Sequence, residues 1–87
     1  MTLSEEIQNA VKNQNAVIGF RNCIKSLKNE NPKLVVIAKN IPVEMKNEIE
    51  ANIKYAKVKL EIFDGSSKDL GVICGKPFPI STLIIRG

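Results

Sequence analysis

Three cationic side chains, Arg21, Lys25 and Lys28, follow Gly19 in the stretch GFRNCIKSLK. Cations at i, i+4 and i+7 share one face of a helix, where they can track the phosphates of a nucleic-acid backbone. The glycine permits a sharp turn and close approach by a large ligand, and the start of a helix offers N–H groups to phosphate. Asn22 stands in the same turn. A solvated helix face would use the same charges. Asn40 is a second candidate, two residues beyond the apolar run LVVIA. Ligand sites favour the carboxyl ends of buried strands, and a carboxamide carries both the donor and the acceptor needed at a base edge. The same side chain is spaced to cap a helix opened by Pro42. The third candidate is GVICGKPFPI, which holds Gly71, Gly75, Lys76 and Phe78. Pro77 and Pro79 fix their own φ and push Phe78 into an extended conformation. Its ring either turns into the core or offers a π-face to an unstacked base, with the stiff backbone lowering the entropy lost on binding.

Other chemistries find no support. The sequence contains no histidine, which removes Ser-His-Asp and Cys-His catalysis and an imidazole base. Cys23 and Cys74 lie far apart without a CxxC pair, so zinc spacing is absent and two buried thiols in a reducing compartment are expected. Gly71 to Lys76 faintly resembles a phosphate-binding loop. It is one residue short, and Pro77 stands where a hydroxyl should meet magnesium. Acidic pairs such as Glu44 with Glu48, or Asp64 with Asp69, read as solvated helix faces or caps. No catalytic centre, metal site, cofactor or small-molecule substrate is expected.

Net charge is +4, and its distribution is uneven. Residues 12–39 carry +5, with Glu30 their only acid, whereas residues 1–11 carry −2. Concentrated positive charge suits a surface that faces a polyanion. No apolar run approaches the ~18 residues of a membrane span, and the first ten residues include two glutamates. The cytosol is the expected compartment.

The elements that must position these residues alternate in period. Thr2 with Glu5 reads as a capping box ahead of Leu3, Ile7, Ala10 and Val11 on one helical face. Ala16 to Gly19 is a short strand; residues 21–28 form the basic helix; Leu34 to Ala38 is an apolar strand buried on both faces. Met45, Ile49, Ile53 and Ala56 recur at helical spacing after Pro42. Val58, Leu60 and Ile62 alternate with Lys57, Lys59 and Glu61 as a half-exposed strand. Ser66 to Asp69 caps a short helix that Gly75 and Pro77 end, and a strand over 80–86 closes the chain. The order α-β-α-β-α-β-α-β predicts one α/β domain over residues 1–87. It is a three-layer α/β/α sandwich, with a four-stranded mixed sheet and helices on both faces.

Over nearly its whole length the chain resembles large-subunit ribosomal protein thirty of archaea and eukaryotes, within the kink-turn-binding superfamily. The resemblance rests on IGFRNCIKSLK, KLVVIAKNIP and FDGSSKDLGVICGKPFPIS, in register. It implies a non-enzymatic protein of the cytoplasmic ribosome, bound to ribosomal RNA at a kink-turn or related internal loop and flanked by neighbouring ribosomal proteins. By that analogy Gly19, Arg21 and Asn22 start the helix that enters the widened groove, and Lys25 and Lys28 meet phosphates. Asn40 bonds at the loop, and Gly71, Gly75, Lys76 and Phe78 close over an extruded base. Asn22 departs from the lysine or serine frequent at its position. A kink-turn protein of another ribonucleoprotein, the RNA-recognition module of a ribose methyltransferase and a protein–protein adaptor are the alternatives. The methyltransferase needs a catalytic domain for which 87 residues leave no room.

Overall fold

A computed structural model describes residues 2–29, 32–54 and 58–86. Helix α1 (Leu3–Lys12) starts at Thr2, whose hydroxyl accepts a hydrogen bond from the Glu5 N–H at 3.2 Å, forming that half of the expected box. Its end is a Schellman motif in which Gln14 N–H reaches Val11 O and Asn15 N–H reaches Ala10 O. Gln14 holds the left-handed position with φ 59°, a conformation that favours glycine. The chain thereby reverses into β1 (Ala16–Ile18), followed by α2 (Phe20–Asn29), β2 (Leu34–Ala38) and α3 (Val43–Ile53). The last elements are β3 (Lys59–Phe63), α4 (Ser67–Ile73) and β4 (Thr82–Ile85).

The sheet order is β1-β4-β2-β3. β4 lies antiparallel between β1 and β2, and β3 runs parallel to β2, so the sheet is mixed. All five residues of β2 are buried, as expected of a strand covered on both sides; each such aliphatic side chain contributes roughly 1.5–3 kcal/mol. Leu34, Val36 and Ala38 pack with Ile7 and Ala10 of α1 and Leu70 of α4. Val35 and Ile37 pack with Cys23, Ile24 and Leu27 of α2 and Ile49 of α3. Period-two alternation thus divides the core into two clusters under two helical layers, the predicted α/β/α sandwich.

Local differences from the sequence expectations have physical causes. Pro42 precedes α3 as its N-cap and takes no first-turn position, because its ψ of 142° is extended. Ile49 and Ile53 face the core as their spacing requires; Ala56 and Lys57 lie outside the described residues. Ile62 stays 53% exposed, against the alternation read for its strand. β3 is an edge strand, and the α2–α3 layer covers Val58 and Leu60 but not its end. Phe63 turns instead into the opposite cluster.

Candidate nucleic-acid interface

Strand direction brings the three candidate segments to one edge of the sheet. β1, β2 and β3 all end there and the antiparallel β4 begins there. A seam of hydrogen bonds runs along that edge. Gly19 N–H donates to Thr82 O at 3.2 Å, Ala38 N–H to Ser81 O at 2.9 Å, and Lys39 N–H to Gly65 O at 2.9 Å. Ser67 then joins two loops: its N–H donates to Asn40 Oδ1 at 2.8 Å, and its carbonyl accepts from Ile80 N–H at 2.9 Å. Four strands set about 4.8 Å apart make this edge roughly 15 Å wide, the scale of a few nucleotides.

At one end of the seam, Gly19 adopts φ +101°, a conformation that a side chain strains. That turn sends the chain from β1 straight into α2 and leaves the helix tip at the sheet edge. The first turn of α2 contains no acidic residue of its own to offset its positive end. Arg21, Asn22, Lys25 and Lys28 are all exposed, while Cys23, Ile24 and Leu27 are buried. The amphipathic reading of the basic helix therefore holds. Asn22 Nδ2 donates to Ile18 O at 3.1 Å, which ties that side chain back to the end of β1. Glu48 of α3 lines a shallow depression with Arg21 and Lys25.

Asn40 does not cap α3, the local duty its spacing suggested. α3 begins at a Pro42 N-cap without a side-chain hydrogen bond, and Asn40 instead caps the first turn of α4 from across the edge. Accepting that bond through Oδ1 aims the Nδ2 donor group away from Ser67, so the side chain presents a donor. Next to it, Lys39 pairs with Asp64 at 3.8 Å with both side chains in water, a contact that stabilises little.

The loop from Lys76 to Pro79 is exposed throughout and Phe78 is 50% exposed, so the ring is displayed. Gly71 explains how the loop is held. It is buried in α4, and a Cβ there would fall on the Phe78 carbonyl oxygen and within 3.3 Å of Pro79 Cα. Gly75 has φ +72° with open space around it and serves the turn: Gly75 N–H bonds Val72 O and Lys76 N–H bonds Gly71 O, a second Schellman motif. Ser66 and Asp69 form a full capping box at the other end of α4. A mostly apolar depression is lined by Phe78, Pro77, Pro79 and Val72, with Lys68 and Lys76 at its margin. Val72 and Lys68 were missing from the sequence reading. The available signal was phase: Leu70 and Cys74 face the core, and Val72, 69% exposed, does not.

Lys28 stands apart from the edge, seven residues and about 10 Å down α2 from Arg21. The two cysteines are buried and lie apart in different core clusters. Burial pushes the Cys23 thiol up to about 12, its S–H donating to Val17 O at 3.4 Å. Cys74 is also raised by burial, and belongs to the cluster on the opposite face of the sheet.

A family model described as the ribosomal protein L7Ae/L30e/S12e/Gadd45 family matches residues 1–87. The large ribosomal subunit protein eL30 of Methanothermobacter thermautotrophicus is 38% identical over 86 residues, covering 99% of this chain and 88% of that one. The eL30 proteins of Candida albicans and Zea mays are 34% and 36% identical over 83 residues each, covering 95% of this chain and 78% and 74% of theirs. Among solved structures, the 15.5kD RNA binding protein of Giardia lamblia matches with a TM-score of 0.88 at 21% identity. That match covers 98% of this chain and 71% of the other. A Bacillus halodurans protein of unknown function matches with a TM-score of 0.87 at 14% identity, covering 97% and 83%. At these identities the structural likeness establishes the fold.

Proposed function

The chain belongs to the ribosomal protein L7Ae/L30e/S12e/Gadd45 family, and from that premise we propose a non-enzymatic, RNA-binding constituent of the large ribosomal subunit in the cytoplasm. It grips a kink-turn-like internal loop of ribosomal RNA through a single binding domain, beside neighbouring ribosomal proteins. The observation that carries this reading is the hydrogen-bonded seam that joins Gly19, Asn40 and the Phe78 loop along one edge. The relatives named eL30 and the Giardia RNA-binding neighbour support it from outside the chain.

Each part has a distinct task. The α2 tip, with Gly19, Arg21 and Asn22, enters the widened groove; Lys25 and Lys28 neutralise phosphates along the helix. Asn40 Nδ2 donates to an acceptor on a base of the loop, a direction fixed by its bond to Ser67. Gly71 and Gly75 shape the loop on which Phe78 stacks against an unpaired base, with Lys76 beside the adjoining phosphate.

The test is binding to a kink-turn hairpin beside a control whose G·A pairs are replaced by Watson–Crick pairs. Preference for the kink-turn supports the reading. Equal affinity for both RNAs overturns its shape-specific part, and no salt-dependent binding to either favours a protein–protein adaptor.

A further inference from the structure

A second cationic surface lies at the far end of β1 and β4 from the seam. One depression there is lined by Asn22, Lys25 and Asn29 of α2 together with Arg86; a second is lined by Asn9, Asn13, Asn15, Lys33 and Arg86. Arg86 belongs to both, so the two form one strip that wraps from α2 around the end of the sheet to α1. Backbone bonds hold the main chain at two of its cations: Arg86 N–H donates to Asn15 O at 2.7 Å and Lys33 N–H to Ile85 O at 2.9 Å. Among the described residues, Glu6 is the one carboxylate lining either depression. Among the described residues neither Lys25 nor Lys33 makes an ion pair. The rest of the polar lining is mainly asparagine, whose carboxamide donates to phosphate oxygens without adding charge.

We propose that Lys33 and Arg86, continuing from Lys25 on the α2 face, form a second RNA-backbone contact, which takes the phosphates of a helical stem continuing from the loop gripped at the seam. This inference rests on the proposed function. Asn22 lies both in the α2 tip and in the lining of the strip, so the two surfaces are continuous. From Leu83 at the seam end to Arg86 is three strand residues, about 10 Å. Duplex RNA is recognised through its shape and backbone, and a flexible cationic strip without aromatic rings suits that task better than reading bases.

Two kink-turn hairpins that differ only in the length of that stem test the proposal, with a double variant Lys33→Gln, Arg86→Gln whose unfolding midpoint is checked first. The unsubstituted protein should bind the long-stem RNA several-fold more tightly. The double variant should lose this gain while binding the short-stem RNA as the parent does. Its long-stem affinity should fall about tenfold less than the parent's between about 50 and 200 mM salt, the share of two phosphate contacts. The conservative Arg86→Lys variant should keep most of the gain. No stem-length gain in the parent, or an undiminished gain in the double variant, overturns the strip and leaves the seam untouched. Failure on both hairpins overturns the seam reading and the strip together.

Discussion

Asn40 and Ser67 stand twenty-seven residues apart in sequence, yet the carboxamide oxygen of one accepts the backbone N–H of the other at 2.8 Å. That bond satisfies a first-turn donor of α4 and clamps the end of β2 to the helix that carries the Phe78 loop. It also fixes which atom of the carboxamide remains to be presented. Folding therefore draws on one end of the side chain and leaves the other exposed for the recognition proposed above.

These two uses separate under substitution. Asn40→Asp retains an oxygen acceptor and replaces the donor with a negative oxygen, so the fold should stand while kink-turn affinity drops by tenfold or more. Asn40→Ala loses both, and should also lower stability by about 0.5–1.5 kcal/mol. Denaturant melts beside RNA titrations decide the matter. An Asp variant that binds like the parent would show that Nδ2 contacts nothing.

Phe78 and Gly71 make a second pair in which display depends on close packing. Phe78→Ala should cost ~1–3 kcal/mol of RNA affinity with little loss of stability, since the residue is already half exposed. Gly71→Ala should do the reverse in kind. Its methyl displaces backbone at Phe78 and Pro79, so stability should fall by about 1–3 kcal/mol. Affinity then falls because the ring moves. Equal stability losses in the two variants would mean that the ring is part of the core.

The architecture was legible because its signals are periodic. Leu34 to Ala38 reads as a doubly buried strand from composition alone, and the alternation of helix with strand leaves few topologies. The cationic face of α2 was equally legible, because its buried and exposed residues follow one helical repeat. The Asn40 bond was not, since it joins segments that only the fold brings together. Whether Phe78 faced core or solvent was also undecided, because flanking prolines fix backbone and not burial. Gly71 did leave a trace: a glycine inside a capped helix costs about 1 kcal/mol and implies a packing reason. Ile62 misled because alternation assumes a covering layer along the whole strand, and an edge strand need not have one.

Gln14 offers a test of backbone economy. It occupies the left-handed position of the α1 Schellman motif with φ 59°, where a Cβ is unfavourable. Gln14→Gly should raise stability by about 0.5–1 kcal/mol, measured as a shift in denaturant midpoint at constant slope. The exposed side chain offers no packing to offset the gain. A destabilised glycine variant would mean that entropy lost from the more flexible unfolded chain outweighs the relief.

Thr82 carries the clearest cost within the sheet. It is fully buried in β4, and its hydroxyl has no hydrogen-bond partner among the described residues. An unpaired buried hydroxyl costs about 1–3 kcal/mol relative to one solvated by water. Valine has nearly the same shape and suits a buried strand, so Thr82→Val should stabilise the protein by about 1–2 kcal/mol. The Gly19 bond should survive, because it uses the Thr82 carbonyl and not the side chain. RNA affinity should accordingly stay at the parent value. The comparison Thr82→Ser keeps the hydroxyl and removes the methyl, and should lose stability through the cavity left behind. If valine destabilises as serine does, the hydroxyl has a partner within the core. If valine stabilises but weakens RNA binding, Thr82 helps to set the geometry of the seam at Gly19.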